Sequence, residues 1–269
     1  MVAQTPGLGR RKITRRMTLN LSTPKKAALV TGAATGIGRE VALRLARAGL
    51  AVGINFSKSQ SEAEETLALI QAEGGEGLLL KGKIGSDSVA KDLVARCVEA
   101  WGGLDVVVNN AATTHFVGLT DLDAANDAVW QEIFQVNVIG GFQVCRAAAP
   151  YLKVRGGSIV NISSVAAASG IGSSIPYSAS KAAVNTMTKS LSKALAPEVR
   201  VNAVAPGPVK TRWLKDHQAM IDAAVALTPL RRAADPKDIA EAVLFLALGT
   251  SLMTGQIVVV DGGRTLSGV

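Results

Sequence analysis

The sequence has few of the residues that build metal sites, disulfide frameworks or aromatic binding surfaces. Among its 269 residues are two cysteines and two histidines, and aromatic residues make up only 4%. Cys97 and Cys145 lie in stretches of apolar periodicity, so we expect buried free thiols rather than a disulfide pair. His115 and His217 lie far apart in the chain without ligand spacing around them, and we therefore expect no metal site.

Long apolar runs are also missing from this chain. No stretch of about 18 apolar residues occurs, which argues against a membrane-spanning helix. The first residues contain no apolar core of the secretory type. We therefore expect a cytoplasmic protein with no membrane partner.

The net charge of +8 is distributed unevenly. Residues 1–16 contain five basic residues and no acid, which leaves +3 for the rest of the chain. No stacking aromatics accompany these charges, so we expect no nucleic-acid partner. Residues 1–24 are predicted to be a basic, disordered extension and residues 25–269 a single domain. The extension has three interpretations: a tail, a transit-like segment, or an over-extended start with Met17 as the true initiator.

Short apolar runs alternate with amphipathic stretches from Lys25 onward, which is typical of a doubly wound parallel α/β sheet with helices on both faces. The apolar runs predict about seven strands, at Ala27–Val30, Leu50–Phe56, Leu78–Ile84, Leu104–Val108, Ser158–Ile162, Arg200–Val204 and Ile257–Val260. The stretches between them predict helices, including one over about 126–153 and one over Ile175–Ala196. Thr211 to about Thr228 interrupts this rhythm and is interpreted as an irregular lid over the carboxyl edge of the sheet.

A glycine-rich turn follows the first predicted strand and leads into a helix, at Thr31-Gly-Ala-Ala-Thr-Gly-Ile-Gly38. Gly32 permits a tight turn, and Gly36 lets the backbone approach a pyrophosphate. Gly38 brings helix and strand together, so that the helix N-terminus faces the phosphates. This context predicts a dinucleotide site, whereas the same glycines elsewhere would indicate only a turn.

Tyr177 and Lys181 are four residues apart on a predicted helix, so their side chains share one face. A free tyrosine has a pKa near 10, too high for a base at neutral pH. A neighbouring positive charge favours the phenolate, so we expect Lys181 to lower this pKa and let the pair exchange a proton with an alcohol or carbonyl.

These motifs together resemble the short-chain dehydrogenase/reductase family. The motifs are Thr31–Gly38, Asn109-Asn-Ala-Ala112, Asn137, Ser164, Tyr177-x-x-x-Lys181, Pro206-Gly207 and the segment from Thr254 to Gly263, and they occur in the family's order and spacing. The resemblance covers about residues 26–263, and it extends to 3-oxoacyl-[acyl-carrier-protein] reductases and related NADP(H)-dependent ketone reductases. It implies a single Rossmann-type domain and hydride transfer between a nicotinamide cofactor and a carbonyl or secondary alcohol.

The resemblance also implies four catalytic residues. Ser164, at the end of the fifth strand, would hold the substrate carbonyl, and Tyr177 would protonate the developing alkoxide. Lys181 would also contact the nicotinamide ribose, and Asn137 would anchor a water chain for proton return. The expected cofactor-binding residues are Gly32, Thr35, Gly36, Ile37, Gly38, Asn55, Phe56, Ser57, Lys58, Ile84, Asn109, Ala111, Tyr177, Lys181, Pro206, Gly207, Val209 and Thr211.

The end of the second strand bears on the choice between NADP and NAD. A carboxylate there selects NAD, and positive charge favours the 2′-phosphate of NADP. The segment Asn55-Phe-Ser-Lys-Ser59 has no acid, and we expect Lys58 to receive a phosphate with help from the Asn55 amide and the two serine hydroxyls. The expected cofactor is therefore NADP(H), with NAD as the alternative.

Two positions depart from the family pattern. Lys83 stands where the family usually has an aspartate that accepts from the adenine amino group, and a lysine side chain cannot accept. We therefore expect the backbone at Ile84 to hold the adenine. Ala112 replaces the more usual glycine, and we expect only a small adjustment of fit there.

The most favoured activity is that of an NADP(H)-dependent ketone reductase or alcohol dehydrogenase acting on a small molecule. The alternatives are an NAD-dependent sugar, polyol or hydroxy-compound dehydrogenase of the same family, a non-catalytic nucleotide-binding protein, and nucleic-acid binding through residues 10–16. In the lid, Trp213, Leu214, His217 and Met220 predict a partly apolar pocket.

Two kinds of protein partner follow from the resemblance. Arg155 and Lys193 resemble basic positions that dock an acyl carrier protein, although the helix dipole also explains basic residues at helix ends. The resemblance further implies a homo-oligomer, a tetramer or dimer, that assembles through the two long central helices.

Overall fold

A parallel seven-stranded sheet forms the centre of the protein, whose computed structural model describes residues 25–215 and 217–266. The strands follow one another across the sheet in the order β3-β2-β1-β4-β5-β6-β7. This order, in which all neighbouring pairs are parallel, confirms the predicted doubly wound fold. The strands are β1 Ala27–Val30, β2 Ala51–Phe56, β3 Gly77–Lys81, β4 Val106–Asn109, β5 Ser158–Ile162, β6 Arg200–Pro206 and β7 Ile257–Val260.

The third strand was expected to continue to Ile84 and instead ends at Lys81. Gly82 then turns the chain, its backbone N–H donating to the Phe56 carbonyl at 2.8 Å. Ile84 is therefore a buried loop residue rather than a strand residue. This places it beside the ends of the neighbouring strands.

Helices cover both faces of the sheet. They are α1 Gly36–Arg47, α2 Gln60–Ala72, α3 Asp87–Trp101, α4 Asp127–Phe134, α5 Gly141–Arg155, α6 Ala166–Ser169, α7 Ile175–Ala194, α8 Gln218–Ala226 and α9 Pro236–Leu244. The helix predicted over about 126–153 is present as α4 and α5, which are joined by a wider π-type segment at Gln135–Gly140. Such widened turns occur often at functional sites, and this one carries Asn137.

The strands β1 to β6 supply side chains to two separate cores, as the alternation of strand side chains requires. In β1, Ala28 and Val30 pack into the core beneath α1, α2 and α9. Ala27 and Leu29 point the other way, into the core beneath α3 and α5. Because both faces are covered, the central strands are buried and read as continuous apolar runs in the sequence.

Cys97 and Cys145 are free and buried, as the sequence predicts. Burial raises the pKa of each thiol to about 12, so neither is a reactive thiolate at neutral pH. Within the described ranges, no cluster of three His, Cys, Asp or Glu residues could hold a metal ion. Of the helices in those ranges, none is long and apolar enough to cross a membrane.

The lid region is more regular than the sequence suggests. Arg212–Leu214 forms a 3-10 turn, and α8 follows at Gln218–Ala226. Alanine is the strongest helix former, and four of the nine α8 residues are alanine. The sequence therefore did contain a signal for this helix, and the prediction of an irregular loop over α8 is wrong. The predicted extension at residues 1–24 and the side chain of Met220 lie outside the described residues.

The close packing of α1 on the turn after β1 gives a stability prediction. A Cβ added at Gly38 would lie 2.2 Å from the Gly32 carbonyl oxygen and 2.5 Å from Asn110 Nδ2, so one of these groups must move. We expect Gly38→Ala to lower the free energy of unfolding by about 2 kcal/mol, as overpacking does. Urea denaturation of wild type and variant measures this change in the free energy of unfolding.

Gly118→Ala is the control for this measurement, because a Cβ at that exposed position meets nothing within 4 Å. The control should unfold at the wild-type midpoint. If Gly38→Ala matched it, the close contact between helix and turn would not constrain the fold.

Candidate active site

A cleft of about 670 Å³ runs along the carboxyl edge of the sheet, where the turns after the strands meet. Most of the predicted cofactor-binding residues line it, as do Ser164 and Ala112. Those in the lining are Gly32, Thr35, Gly36, Ile37, Asn55, Phe56, Ser57, Lys58, Ile84, Ala111, Tyr177, Lys181, Pro206, Gly207, Val209 and Thr211. The residues outside it are Gly38, which packs beneath the turn, and Asn109 and Asn137, which face a separate small cavity.

The glycine turn after β1 is held in the conformation that a dinucleotide site requires. Gly32 and Gly36 have φ values of 63° and 58°, a region that L side chains rarely adopt. The Gly32 N–H donates to Asn55 Oδ1 at 3.2 Å, and the Ala33 N–H donates to the Asn55 carbonyl at 2.8 Å. Thr35, Gly36 and Ile37, at the N-terminus of α1, line the cleft, and a helix N-terminus suits a pyrophosphate.

Asn110, absent from the residues predicted from the sequence, locks this turn to β4. Its Nδ2 donates to the carbonyl oxygens of Thr31 and Gly32, both at 3.0 Å. In return, the Thr31 hydroxyl accepts from the backbone N–H groups of Asn110 and Ala111 at 3.0 Å. The doubled asparagine was a visible signal, but the sequence did not reveal which of the two faces the cleft.

Asn109 points away from the large cleft, although it was predicted to bind cofactor. Its Nδ2 donates to Asn161 Oδ1 at 2.9 Å and to Cys145 Sγ at 3.1 Å, so it joins the buried layer between β4, β5 and α5. Thr188 extends this network, since its hydroxyl accepts from Asn161 Nδ2 at 2.9 Å. Asn109 therefore positions the site rather than lining the large cleft.

The Asn55 amide is not free to assist a phosphate, which corrects the prediction from the sequence. Its Nδ2 donates to the carbonyl oxygens of Leu80 and Gly82, both at 3.0 Å, and the residue is 1% exposed. Its role is to hold β2, β3 and the glycine turn together. Ser57 and Lys58, by contrast, are exposed at the mouth of the cleft.

A carboxylate from another element stands beside Lys83, where the family aspartate is missing. Glu132 of α4 lines the cleft, and its Oε1 lies 3.8 Å from Lys83 Nζ. The hydrogen bond from His115 Nε2 at 3.0 Å is the main cause that holds the pKa of Glu132 below its usual value. The Lys83 ammonium is thus an ion-pair partner at the rim of the cleft, and Ile84 lies beside it in the lining.

Ser164, Tyr177 and Lys181 meet on one wall of the cleft. Ser164 follows β5, and the first turn of α7 carries Tyr177, whose N–H donates to the capping Ser174 hydroxyl at 3.3 Å. Lys181 is 4% exposed, and its Nζ donates to the Ile162 carbonyl oxygen at 2.8 Å and lies 5.6 Å from the Tyr177 ring centroid. The predicted serine, phenol and ammonium are therefore brought together by the ends of β5 and α7.

Burial dominates the protonation of this pair. It raises the pKa of the Tyr177 phenol to about 12, against a smaller lowering effect of the Ser164 hydrogen bond. It also lowers the pKa of the Lys181 ammonium to about 8. The expectation of a lowered tyrosine pKa is wrong for the chain by itself, because desolvation raises this pKa and only the Ser164 hydrogen bond opposes it. At neutral pH the pair is a protonated phenol beside a positive ammonium.

Asn137 lies on the π-type segment and faces the small cavity behind Lys181. Its Oδ1 accepts from the Thr113 N–H at 2.8 Å, and its Nδ2 donates to the Thr113 carbonyl at 3.1 Å and to Ser180 Oγ at 3.0 Å. The cavity measures about 10 Å³, close to the space of one water, and Asn109 and Lys181 also line it. The buried Oδ1 of Asn109 has no hydrogen-bond partner among the described residues.

The segment after β6 reaches back over the glycine turn. Val209 pairs with Ala234, and the Lys210 N–H donates to the Ala234 carbonyl at 2.9 Å, which pins the turn in place. Thr211 then lies directly above Gly36, because a Cβ at Gly36 would be 3.3 Å from the threonine methyl. The start of the lid is thereby anchored beside the glycine turn.

Apolar and aromatic side chains form the end of the cleft next to Tyr177. The Trp213 ring meets the Tyr177 ring edge-on at 6.3 Å, and the Phe116 ring stacks on His217 at 3.8 Å. Ile171, Ile221 and Leu227 line the same cleft. Arg264 adds a polar group, and its buried Nη1 has no hydrogen-bond partner in the part of the chain that the structure describes.

The two residues expected to dock an acyl carrier protein differ in their surroundings. The Arg155 side chain is only 17% exposed, lies 3.7 Å from an Asp105 carboxylate oxygen and donates to the Gly102 carbonyl. Lys193 is exposed near the end of α7. Arg155 is thus largely committed to an internal ion pair.

Comparisons with known proteins agree with this architecture. The family model described as enoyl-(acyl carrier protein) reductase matches residues 32–265. A Streptomyces violaceoruber protein, named as ketoacyl reductase 2 of the granaticin polyketide synthase, is 43% identical over 89% of this chain and 96% of its own. An L-rhamnose 1-dehydrogenase (NAD(P)(+)) of Sphingomonas is 37% identical over 88% of this chain and 95% of its own.

A solved structure gives the same result for the fold. The chain matches the crystal structure of a short-chain dehydrogenase/reductase from Burkholderia xenovorans with a TM-score of 0.86 and 35% identity, over 91% of this chain and 99% of that one. The sheet order, the residues of the cleft and these relatives all indicate the same family. The chain belongs to the short-chain dehydrogenase/reductase family of oxidoreductases, whose members use NAD(P).

Proposed function

We propose that this oxidoreductase uses NADP(H) to interconvert a ketone and a secondary alcohol, with Tyr177 as the general acid and base. The observation that carries the proposal is the meeting of Ser164, Tyr177 and Lys181 on the wall of a cleft large enough for a dinucleotide and a substrate. A chain that only sensed nucleotides would have no need of this arrangement.

The charge and protonation state of Ser164, Tyr177 and Lys181 suggest a separate role for each residue. The dinucleotide, when bound, supplies or accepts the hydride. The Ser164 hydroxyl donates to the substrate oxygen and holds it near the phenol of Tyr177. Because the pKa of Tyr177 is raised to about 12, the phenol is protonated at neutral pH and donates its proton to the oxygen as negative charge develops there. The Lys181 ammonium stabilises the phenolate that remains.

Lys181 lies between the large cleft and the small cavity, a position that suits the return of a proton to Tyr177. The residue lines both the large cleft and the small cavity that it shares with Asn109 and Asn137. A water in that cavity would accept from Lys181 and donate to the unpaired Oδ1 of Asn109. We propose that Asn137 acts here as a positioning residue, since its side chain fixes the loop at Thr113 and the hydroxyl of Ser180.

The substrate end of the cleft favours an apolar ketone over a sugar. Trp213, Phe116, Ile171 and Leu227 lack the carboxylate and amide groups that recognise several hydroxyls. The relative named as a ketoacyl reductase supports this preference, and the relative named as an L-rhamnose dehydrogenase supports the polyol alternative. Assay of both substrate classes with one enzyme preparation distinguishes them.

A homo-oligomer, either a dimer or a tetramer, is part of the proposal. Large apolar side chains are exposed along the segment from Ile139 to Arg155, and Val154 is 86% exposed. Such a surface on a central helix is suited to a second copy of the chain. Light scattering measures the assembly directly.

Carrier-protein docking through Lys193 is a further proposal, although the ion pair with Asp105 leaves little of the Arg155 side chain free to contribute.

Removing the phenol hydroxyl should abolish turnover while preserving the site. We expect Tyr177→Phe to lower kcat for ketone reduction by roughly 10²- to 10⁴-fold, the usual contribution of a general acid. Cofactor protection in a thermal-shift assay should remain. Tyr151→Phe removes the other phenol of the chain, an exposed side chain on α5, and should keep full activity. Equal activity in both variants would exclude Tyr177 as the acid.

The pH profile should report the ammonium of Lys181. Its pKa is lowered to about 8, so its charge is present below that pH and lost above it, while the Tyr177 phenol stays protonated. We therefore expect kcat/KM for reduction to fall as the pH rises from about 7 to 9. The small residual rate of Lys181→Met should show no such fall. A wild-type profile that stays flat to pH 10 contradicts this assignment.

Cofactor preference should depend on Lys58. A bound ligand stabilises the fold in proportion to the logarithm of its concentration over Kd, so thermal shifts rank NADP⁺ and NAD⁺ without knowledge of the substrate. We expect greater protection by NADP⁺, and a smaller difference in Lys58→Ala. Lys189→Ala, which removes an exposed charge from α7, is the control. Equal or greater protection by NAD⁺ would favour the NAD alternative.

A further inference from the structure

We propose that Arg212, a residue of the lid, is a second cationic ligand for the 2′-phosphate of NADP(H). This inference rests on the proposed NADP(H)-dependent function and goes beyond it, because it assigns cofactor selection to a segment otherwise associated with the substrate. One side chain would then connect the choice of cofactor to the position of the lid.

The guanidinium of Arg212 already spans the mouth of the cleft. Its Nη1 donates to Ser59 Oγ at 3.0 Å and lies 3.4 Å from Glu62 Oε1, although these residues are about 150 positions away in the chain. Arg212 directly follows Thr211, whose methyl group lies against Gly36. The backbone is therefore fixed above the glycine turn, and the side chain points to the end of β2.

Ser59 is available at this place because it does not cap its own helix. It precedes α2 in the N-cap position, yet its side chain makes no capping hydrogen bond. Its hydroxyl is instead held by Arg212 and stands beside Ser57 and Lys58 in the lining of the cleft. Two cationic side chains and two hydroxyls thus line the cleft at the end of β2, where the ribose 2′-position is recognised in this type of fold.

The glycine turn itself supplies no positive charge. Residues 31–38 contain neither lysine nor arginine, so charge for a phosphate must come from other segments. Arg39, the next residue, is occupied: it donates to the Ala34 carbonyl at 2.9 Å and pairs with Glu65 at 3.0 Å. Lys58 provides a point charge, whereas the planar guanidinium of Arg212 matches two phosphate oxygens at once.

The present partner of Arg212 is a weak competitor. The Arg212 and Glu62 side chains are 55% and 39% exposed, and an exposed ion pair at 3.4 Å contributes little. A phosphate with a charge near −2 therefore attracts the guanidinium more strongly than this carboxylate does. NAD has no 2′-phosphate. With NAD bound, the Arg212 guanidinium should therefore keep its contacts with Ser59 and Glu62.

The test compares the Kd of NADP⁺ and NAD⁺ for wild type and Arg212→Gln by isothermal titration calorimetry. Loss of a charge-assisted hydrogen bond should raise the Kd of NADP⁺ about tenfold and change that of NAD⁺ less than about twofold. Lys210→Gln is the matched control, because it removes the same charge two residues earlier from a side chain that pairs with Asp235 at 3.6 Å, outside the cleft. Both of its Kd values should equal those of wild type.

Two fragments separate phosphate recognition from any effect on the lid. The affinity of 2′-AMP should fall in Arg212→Gln, and the affinity of 5′-AMP should not. An arginine that only shaped the lid would weaken NADP⁺ and NAD⁺ equally, and that result would overturn the proposal. An unchanged Kd for NADP⁺ would also overturn it.

The wild-type measurements distinguish this inference from the proposed function. If wild type binds NADP⁺ and turns over ketones with NADPH, while Arg212→Gln keeps full selectivity, only the role of Arg212 is wrong. If wild type prefers NAD⁺ or binds neither cofactor, the proposed cofactor is wrong and this inference is overturned with it.

Discussion

The ammonium of Lys181 is buried at the carboxyl end of the sheet, and the arrangement of the site depends on it. A buried charge is costly unless polar groups surround it, and here the Ile162 carbonyl at the end of β5 accepts from it at 2.8 Å. This bond fixes α7 against β5, which sets Tyr177 beside Ser164. The same burial lowers the pKa of Lys181 and raises that of Tyr177, so position and protonation have one cause.

The cleft is closed by contacts between segments that are distant in sequence. Trp213 meets Tyr177, His217 stacks on Phe116, and Arg212 reaches Ser59. These contacts tie the lid to the substrate wall, to the loop after β4 and to the end of β2. These three contacts therefore hold Arg212, Trp213 and His217 against three different walls of the cleft.

Side chains from distant segments change the charge at two places along the cleft. Lys83 stands where an aspartate is usual, and Glu132 brings a carboxylate to its side from α4. The end of β2 lacks an acid, and Arg212 adds positive charge there from the lid. Neither contact follows from reading one motif at a time, because each depends on which turns meet at the edge of the sheet.

The sequence by itself determined the fold and indicated the three side chains that we propose as reacting groups. Buried parallel strands must be apolar and amphipathic helices periodic, so β1 to β7 were visible as patterns, and Ser164, Tyr177 and Lys181 as a spacing. Only the tertiary structure decided what each polar side chain faces. Asn109 bonds to Asn161 in the interior, whereas Asn110 bonds to the glycine turn beside the cleft. The Asn55 amide donates to the Leu80 carbonyl of β3, and Arg212 donates to Ser59. Hydrogen-bond partners and desolvation are set by packing between distant segments, which local periodicity does not encode.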